Sequence, residues 1–426
     1  MTMIDIKLIR KDPDRYVKAA KLKNFEADIP ALLDIDRQLA DIVREHQDVR
    51  TAQNAAGKEI ASLTGREKED AIARMAQLKA RVKDLEDKRA QLQPEFDQLM
   101  LLVSQPPADD VPIGADDTEN VEIRRAGEVP EFDFPPADHI ELGRKLDIID
   151  VPRGVKLAGS RNYALKGAGA MLHYAVLRFA MDSMIARGYE ILNLPILVND
   201  EIMYGTGYFP LGRDDAYLCE RDGMSLIGTA EVPLTAFHSN EVLDCADLPK
   251  KYVATSTCFR REAGAAGKDT HGLYRIHLFD KVEQVVICRN DEKESLHYHH
   301  EILANAEAVL AALKLPYRVV NVCTGDLGQG QVQKFDIEAW MPSRGNYGET
   351  HSASRFHDFQ ARRLNIRYRE QTGKVNFVHT LNNTVIASPR ILIPMLELYQ
   401  NADGSVTVPQ VLRAYMGGLE KIEPSS

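Results

Sequence analysis

Leu32, Ile35, Leu39, Ile42, His46, Val49, Gln53, Ala56, Ile60 and Leu63 stand at alternating steps of three and four residues. After Thr64 and Gly65 the rhythm resumes in Met75, Leu78, Val82, Leu85, Arg89, Leu92, Phe96 and Leu99. A 3–4 spacing kept over so many turns is the a/d seam of a coiled coil, and the single interruption is a turn. No proline occurs from 31 to 93 to break either helix. The pattern predicts an antiparallel helical hairpin with arms of about 30 residues, ~45–50 Å long at ~1.5 Å per residue. Such a hairpin satisfies its own apolar stripe, so it is expected to project rather than to form the core of a compact domain.

Charge along the hairpin is uneven. Residues 31–43 carry one basic and three acidic side chains, and residues 84–100 carry two and five. Residues 44–83 between them carry nine basic and six acidic, a net of +3. A solvated coiled-coil face explains this as simply as a lever whose tip meets a phosphate backbone, and the pattern alone does not choose.

The stretch SQPPADDVPIGADD, with Pro106, Pro107 and Pro112, reads as a linker. The domains expected are an arm over 1–105, a linker over 106–118 and a second domain over 119–426. That second domain shows a helical pattern over 169–188, another over 293–314, and alternating runs such as KYVATSTCFRRE, LYRIHLFDKVEQVVIC, YRVVNVC, KFDIEAWMP and RRLNIRYR. Most adjacent runs are joined by turns too short for a parallel crossover. An α+β fold with a mostly antiparallel sheet flanked by helices is expected.

Composition sets limits. A chain of 426 residues, 44% hydrophobic and 27% charged, has room for two domains. It has no run of eighteen apolar residues, and its first residues lack a signal peptide's apolar core, so a soluble, cytoplasmic protein with no membrane association is expected. The five cysteines fall in no metal-like spacing and read as reduced thiols, with no structural zinc. A net charge of −10 argues against wholesale coating by nucleic acid, so any such partner meets a local patch.

A second hairpin, read as two strands, gathers positive charge in CFRREAGAAGKDTHGLYRIHLFDKVE, residues 258–283, with five arginines or lysines around the small residues 263–266. Alternation places Ile276, Leu278, Val282 and Val286 on one face, towards a core, and Arg275, His277, Phe279, Lys281 and Glu283 on the other. Arg260 and Glu262 share a face of the preceding strand. Phe279 and Glu283 would stand about 13 Å apart at ~3.3 Å per residue, roughly the span of an aminoacyl-adenylate. A ring for stacking, arginines for phosphate and an acid for an amine or hydroxyl suit that ligand, although a solvated sheet with ordinary ion pairs gives the same periodicity. NNTVIASPRILIPMLELYQ puts Ser388 and Pro389 at an expected helix start and Arg390 in its first turn, suited to an anion, with a kink expected at Pro394. GTAEVPLT sets Thr229 and Glu231 two apart around Ala230.

Taken in order, these segments resemble the seryl-tRNA synthetase family of class II aminoacyl-tRNA synthetases over essentially the whole chain. MIDIKLIRKDP resembles the family's opening, and the hairpin its tRNA-binding arm. RGYEILNLP resembles motif 1, TAEVPLT the serine-pocket loop, FRREAGAAGKDTHGLYRIHLFDKVE motif 2 with its mobile loop, and LNNTVIASPRILIP motif 3. The resemblance implies ATP-dependent activation of L-serine and its transfer to the 3′ end of tRNA(Ser), with Mg²⁺ and a homodimer. It implies Arg260 on the α-phosphate, Glu262 and Arg275 positioning ATP, Phe279 stacked on adenine and Arg390 on the γ-phosphate. Arg260, Glu262 and Arg390 are the implied catalytic set, and Arg261, Thr350 and His351 join the ATP contacts. Thr229, Ala230, Glu231, Glu283, Asn382 and Thr384 are the implied serine contacts, Glu349 and Ser352 the Mg²⁺ ligands. Arg50, Lys58, Arg74 and Lys79 are the implied tRNA contacts of the arm.

The chain departs from the family's usual EISSCSN in reading ETHSASR at 349–355, and from HQF in reading HLF, with Leu278 expected on the buried face. Two other readings stay open at this point: a paralogue loading a carrier protein or other acceptor, and a non-catalytic nucleic-acid-binding relative. HYHH at 297–300 does not share one helical face and is not read as a metal site. Arg362, Arg363, Arg367 and Arg369 are read as a solvated strand edge or as contacts for the tRNA acceptor end.

Overall fold

The computed structural model describes residues 3–424 except 265, 266, 268, 270 and 271. Half of the small stretch expected to let the motif 2 loop move (Ala265 and Ala266) therefore lies outside the described residues. The chain divides into two compact units, Met3–Pro106 and Pro107–Ser426.

The first unit is helical. Asp5 caps α1 (Ile6–Lys11) and Asp12 caps α2 (Pro13–Leu22), each carboxylate accepting from a backbone N–H of the first turn, and Pro13 takes a position where no N–H is needed. α3 (Ile29–Ile60) is capped by Asp28 in the same way. It runs to a short turn, after which α4 (Gly65–Leu102) returns antiparallel beside it. Leu32, Ile35, Val82, Leu85 and Met100 of the predicted stretch are buried. α4 is longer than expected, at 38 residues, and Pro94 lies inside it. Polar contacts cross the seam at Arg81–Glu45 and His46–Glu86 (3.3 Å).

The second unit holds an eight-stranded sheet. Its members in chain order are β1 (Val121–Ala126), β2 (Glu190–Ile191), β3 (Lys250–Phe259), β4 (Leu278–Cys288), β5 (Tyr317–Asn321), β6 (Gln333–Met341), β7 (Asn346–Arg355) and β8 (His379–Ser388). They lie side by side as β1-β5-β6-β7-β8-β4-β3-β2, antiparallel except for β2 against β3. Helices α5 (Gly167–Ile185) and α6 (Glu292–Ala312) bring Val176, Ala180, Leu303 and Ala306 into one core with Val282, Val286 and Ile386. Val285 and Ile287 enter a second cluster with Tyr252, Ala254 and Ile366, so the far half of β4 is buried on both faces. Among the described residues no helix is long and apolar enough to cross a membrane.

Three ladders slip by one residue: that of β1 with β5 leaves Ile123 unmatched, and the other two lie in the middle of the sheet. Val282 pairs with Ile386 but Glu283 with Thr384, which leaves Val385 unmatched. Ile337 pairs with His351 but Glu338 with Glu349, which leaves Thr350 unmatched. These are β-bulges, which kink a strand and re-aim its side chains.

Several expectations are corrected. Leu278 is 40% exposed, because it is the first residue of β4, paired with Phe259 at the ladder's end, beyond the core. RRLNIRYR is not one strand: Arg362 and Arg363 lie in the helix Phe359–Leu364, and only Arg367–Arg369 is extended, in a separate three-stranded sheet. Arg363 is buried over the Phe359 ring (4.0 Å) and Arg362 is tied to Asp358 (2.7 Å), so neither belongs to a solvated edge. Arg390 sits in the turn between β8 and the helix Leu392–Leu398, not in the helix. Pro394 falls in that helix's first turn, where its missing N–H breaks no intrahelical bond, and no kink arises. Within 106–118, Ala108 N–H donates to Val332 O (2.8 Å) and Pro112 O accepts from Thr324 N–H (2.8 Å). In HYHH, His299 is buried and stacks on Phe335 (4.9 Å), while His297 and His300 are exposed.

Candidate active site

β4, β8 and β7 lie next to one another, and alternation turns Phe279, Lys281 and Glu283 of the first towards Asn382 and Thr384 of the second and Glu349 and Ser352 of the third. They line a cavity of about 230 Å³. Arg260 and Glu262 enter just after β3, Arg390 just after β8, and Tyr208 and Glu231 come from outside the sheet.

One set of groups is cationic and aromatic. The Arg260 guanidinium lies 5.2 Å from the Phe279 ring centroid, and its Nε donates to Gly228 O (3.3 Å). Arg390 donates to the carbonyls of Tyr274 (3.0 Å) and Glu349 (3.1 Å) and covers the Tyr274 ring at 4.5 Å. Arg275 Nη1 donates to Glu262 Oε2 (2.7 Å). Glu349 opens onto the cavity; the surrounding protein disfavours its charge, but Arg390, Lys334 and Arg260 hold its carboxyl below the usual range. Planar, permanently charged guanidiniums aimed into a cleft suit phosphate oxygens.

The other set is acidic and deeply buried. Glu283, 1% exposed, is ion-paired with Lys281 and accepts from Thr384 Oγ1 (3.4 Å). Glu231, 5% exposed, accepts from Tyr208 Oη (2.9 Å) and Gln360 Nε2 (2.8 Å). Gln360 is held in turn by Thr380 Oγ1 (2.7 Å). Burial, and then the neighbouring charge of Glu283, push the Glu231 carboxyl above its ordinary value; burial also raises Glu283. The buried Asn382 Oδ1 has no hydrogen-bond partner among the described residues. Two carboxylates and a spare amide oxygen make a pocket for a small ligand with an ammonium group and a hydroxyl.

Eleven of the expected residues line the cavity: Glu231, Arg260, Glu262, Phe279, Glu283, Glu349, Thr350, Ser352, Asn382, Thr384 and Arg390. Thr229 sits behind it, its Oγ1 accepting from the Glu231 N–H (3.2 Å), and Ala230 precedes the helix Glu231–Ala236. Arg275 braces Glu262 from an adjoining cavity. Arg261 is exposed outside the cavity, its N–H on Asp215 O (2.9 Å). His351 is buried behind the wall, donating from Nε2 to Val385 O (3.0 Å), with its pKa depressed to about 4 by burial. On the helical unit Lys58, Arg74 and Lys79 are exposed, whereas Arg50 reaches Glu86 across the seam (3.4 Å).

Sequence reasoning gave no role to Tyr208, Gln360 or Gln331, which come from loops and a helix outside the quoted motifs, nor to Tyr274, which lies within the motif 2 segment beside Arg275. Lys281 did carry a signal, since it alternates with Phe279 and Glu283 on β4.

Glu349, Ser352 and the register partner of Ser352, Asp336, offer oxygens, with Lys334 Nζ 3.5 Å from Asp336 Oδ2, and Asp336 Oδ1 is buried without a hydrogen-bond partner among the described residues. Hard oxygens of this kind suit Mg²⁺. Among the described residues no group of three His, Cys, Asp or Glu could enclose a metal.

Comparison with known proteins follows the same lines. Residues 3–107 match the seryl-tRNA synthetase N-terminal domain, and residues 217–399 the tRNA synthetase class II core domain (G, H, P, S and T). Serine--tRNA ligase of Deinococcus radiodurans is 44% identical over 418 residues, 98% of each chain. That of Fervidobacterium nodosum is 42% identical over 420 residues, 97% of this chain and 98% of the other. The crystal structure of seryl-tRNA synthetase from Pyrococcus horikoshii complexed with ATP superposes with a TM-score of 0.94 at 36% identity, covering 100% of both chains. Cytoplasmic serine-tRNA ligase from Naegleria fowleri in complex with AMP gives 0.88 at 30% identity, covering 100% of this chain and 99% of the other. The chain belongs to the seryl-tRNA synthetase family.

Proposed function

We propose that this protein activates L-serine with ATP and transfers it to the 3′ end of tRNA(Ser). The observation that carries the reading is the division of one cavity into a guanidinium-and-ring set and a buried carboxylate set, joined along β4. Serine's carboxylate attacks the α-phosphorus and pyrophosphate leaves; a ribose hydroxyl of the tRNA's terminal nucleotide then attacks the adenylate carbonyl and AMP leaves. Phe279 stacks the adenine, Arg260 binds the α-phosphate and Arg390 the γ-phosphate. These cations stabilise charge spread over phosphate oxygens, with no protein nucleophile required. Glu262, braced by Arg275, orients the nucleotide. Glu231, Glu283, Thr384 and Asn382 take the serine. Glu349 and Ser352 would hold Mg²⁺, which when bound neutralises phosphate charge.

In this reading residues 1–105 are a tRNA-binding arm, with Lys58, Arg74 and Lys79 on phosphates, and residues 119–426 the catalytic domain, joined by 106–118. A cytoplasmic homodimer completes it. Amino-acid-dependent exchange of pyrophosphate into ATP, run without tRNA for each of the twenty amino acids, together with charging of total tRNA, tests it. Serine-dependent exchange and serylated tRNA are expected. Exchange with serine but no charged tRNA would favour the carrier-loading paralogue, and exchange with another amino acid would overturn the substrate.

A further inference from the structure

The amino-acid end of the cavity contains two carboxylates and one lysine, and their contacts are unequal. Glu231 is held by neutral donors only, the Tyr208 hydroxyl and the Gln360 amide. Glu283 is held by a cation: Lys281 Nζ is ion-paired with its Oε2. Thr384 Oγ1 joins both partners, at 3.4 Å from the lysine nitrogen and 3.4 Å from the same carboxylate oxygen. All four side chains are buried and all line the cavity. A buried charge without a counter-ion is costly, and an ion pair removes most of that cost. The lysine has therefore cancelled one of the two negative charges before any ligand arrives, and left the other.

We infer that Lys281 sets the selectivity of this pocket by keeping Glu283 ionised and already paired, so that Glu231 takes the substrate ammonium and Glu283 reads the substrate hydroxyl. The inference rests on the serine-activating reading above and assigns a residue to its specificity. An ionised carboxylate only accepts hydrogen bonds, so a ligand that places a methyl group there leaves a buried acceptor unpaired and is rejected. A second ammonium at that position is also rejected, because Lys281 supplies the positive charge there already. Removing the lysine reverses both rules. Glu283 would share a buried pocket with Glu231 and take up a proton, which ends its strict demand for a donor. The missing cation could then be supplied by a ligand.

The test compares wild type, Lys281→Met and Lys281→Arg in pyrophosphate exchange with L-serine, L-alanine and L-2,3-diaminopropionate, which carries an ammonium in place of the hydroxyl. In wild type, kcat/KM for diaminopropionate should be at least ~10-fold below that for serine, since a site built for one polar group rejects its misfit. In K281M the preference for serine over alanine should shrink by about tenfold or more, a loss of hydroxyl reading, and diaminopropionate should gain on serine by a similar factor. K281R keeps the charge and should keep the wild-type order. Proportional losses for all three substrates in K281M would mean that the lysine is only structural and would overturn the inference. So would wild type accepting diaminopropionate as well as serine. If thermal melting shows that K281M does not fold, the same ratios in Lys281→Gln decide. Failure of wild type to exchange with serine at all would count against the proposed activity, not against Lys281.

Discussion

The guanidinium of Arg260 stands over the ring of Phe279, 5.2 Å from its centroid, so the cation assigned to the α-phosphate and the ring assigned to adenine share one surface. A cation on an aromatic face contributes about 0.5–2 kcal/mol, and here it also fixes the guanidinium's direction. Phe279→Ala should therefore disturb both ends of the nucleotide. KM for ATP in pyrophosphate exchange should rise at least ~10-fold, while KM for serine changes little and Phe279→Tyr stays near wild type. Equal rises for ATP and serine would place the ring elsewhere in the mechanism.

The acidic set makes a prediction of its own. Glu283→Ala should lower kcat/KM for serine by at least ~10²-fold, because a polar group of the substrate would be buried unpaired. Glu231 must be ionised to hold an ammonium, and its carboxyl is pushed up by burial and by Glu283. The acid limb of the pH–kcat/KM profile should therefore lie above 4.5, the ordinary value for a glutamate, and the two carboxylates should titrate together. A limb at or below that value would remove Glu231 as the ammonium acceptor.

On the arm, neutralising Lys58, Arg74 and Lys79 to Ser should lower kcat/KM for tRNA and leave tRNA-independent exchange unchanged. Binding of tRNA should also depend less steeply on log salt, as expected when phosphate contacts are lost. Arg50→Ser should have the smaller effect, because Glu86 already offsets part of its charge. If exchange and charging fall together, or neither falls, the arm does not hold tRNA through these residues.

A fourth prediction concerns acid stability. Burial depresses His299 to about 3, His379 to about 3 and His351 to about 4, against 6.5 for an ordinary histidine. Below pH 6.5 the unfolded chain binds protons that the folded chain refuses, so the three contribute stability that is lost as pH falls from 6.5 towards 4. Glu231 and Glu283, raised in the folded state, act in the opposite sense and moderate the loss. The urea midpoint should fall over that window, and a flat midpoint from pH 7 to 4 would contradict the buried, neutral state of these rings.

Tyr174 of α5 (68% exposed) and Ile191 of β2 (53%) line one open cleft, and Met171 and Ile185 of α5 are also exposed. An apolar surface of this kind suits a second copy related by a two-fold axis. Light scattering at micromolar concentration should give twice the chain mass, and Ile191→Asp should shift the protein towards monomer. A fully active wild-type monomer would refute the dimer.

The helical hairpin was legible because its seam repeats over many turns and nothing else satisfies that period. β4 was legible in its second half less than in its first, for a physical reason: from Lys281 onwards it is buried on both faces, and alternation no longer separates core from cavity. Leu278 was misassigned because alternation says which face a residue takes but not where the core ends. Arg362 and Arg363 were misassigned because a short helix leading into a three-residue strand leaves no period long enough to read. Tyr208 and Gln360 were invisible: they reach Glu231 from 23 and 129 residues away, and no local pattern reports such a meeting.

The unmatched Val385 has a consequence for how this pocket can change. It donates its extra length to β8 between Ile386, which faces Val282, and Thr384, which faces Glu283, and its carbonyl is held by His351. Deleting that one residue would remove the bulge, leaving Ile386 and Thr384 as consecutive partners of Val282 and Glu283, and would take away the carbonyl that His351 holds, so the strand would lose its local kink beside the pocket. Substitutions can retune the ligand without disturbing the sheet; single-residue insertions and deletions cannot. Libraries aimed at new amino-acid specificity should therefore vary side chains at 281, 283, 382 and 384 and hold the length of 379–388 fixed.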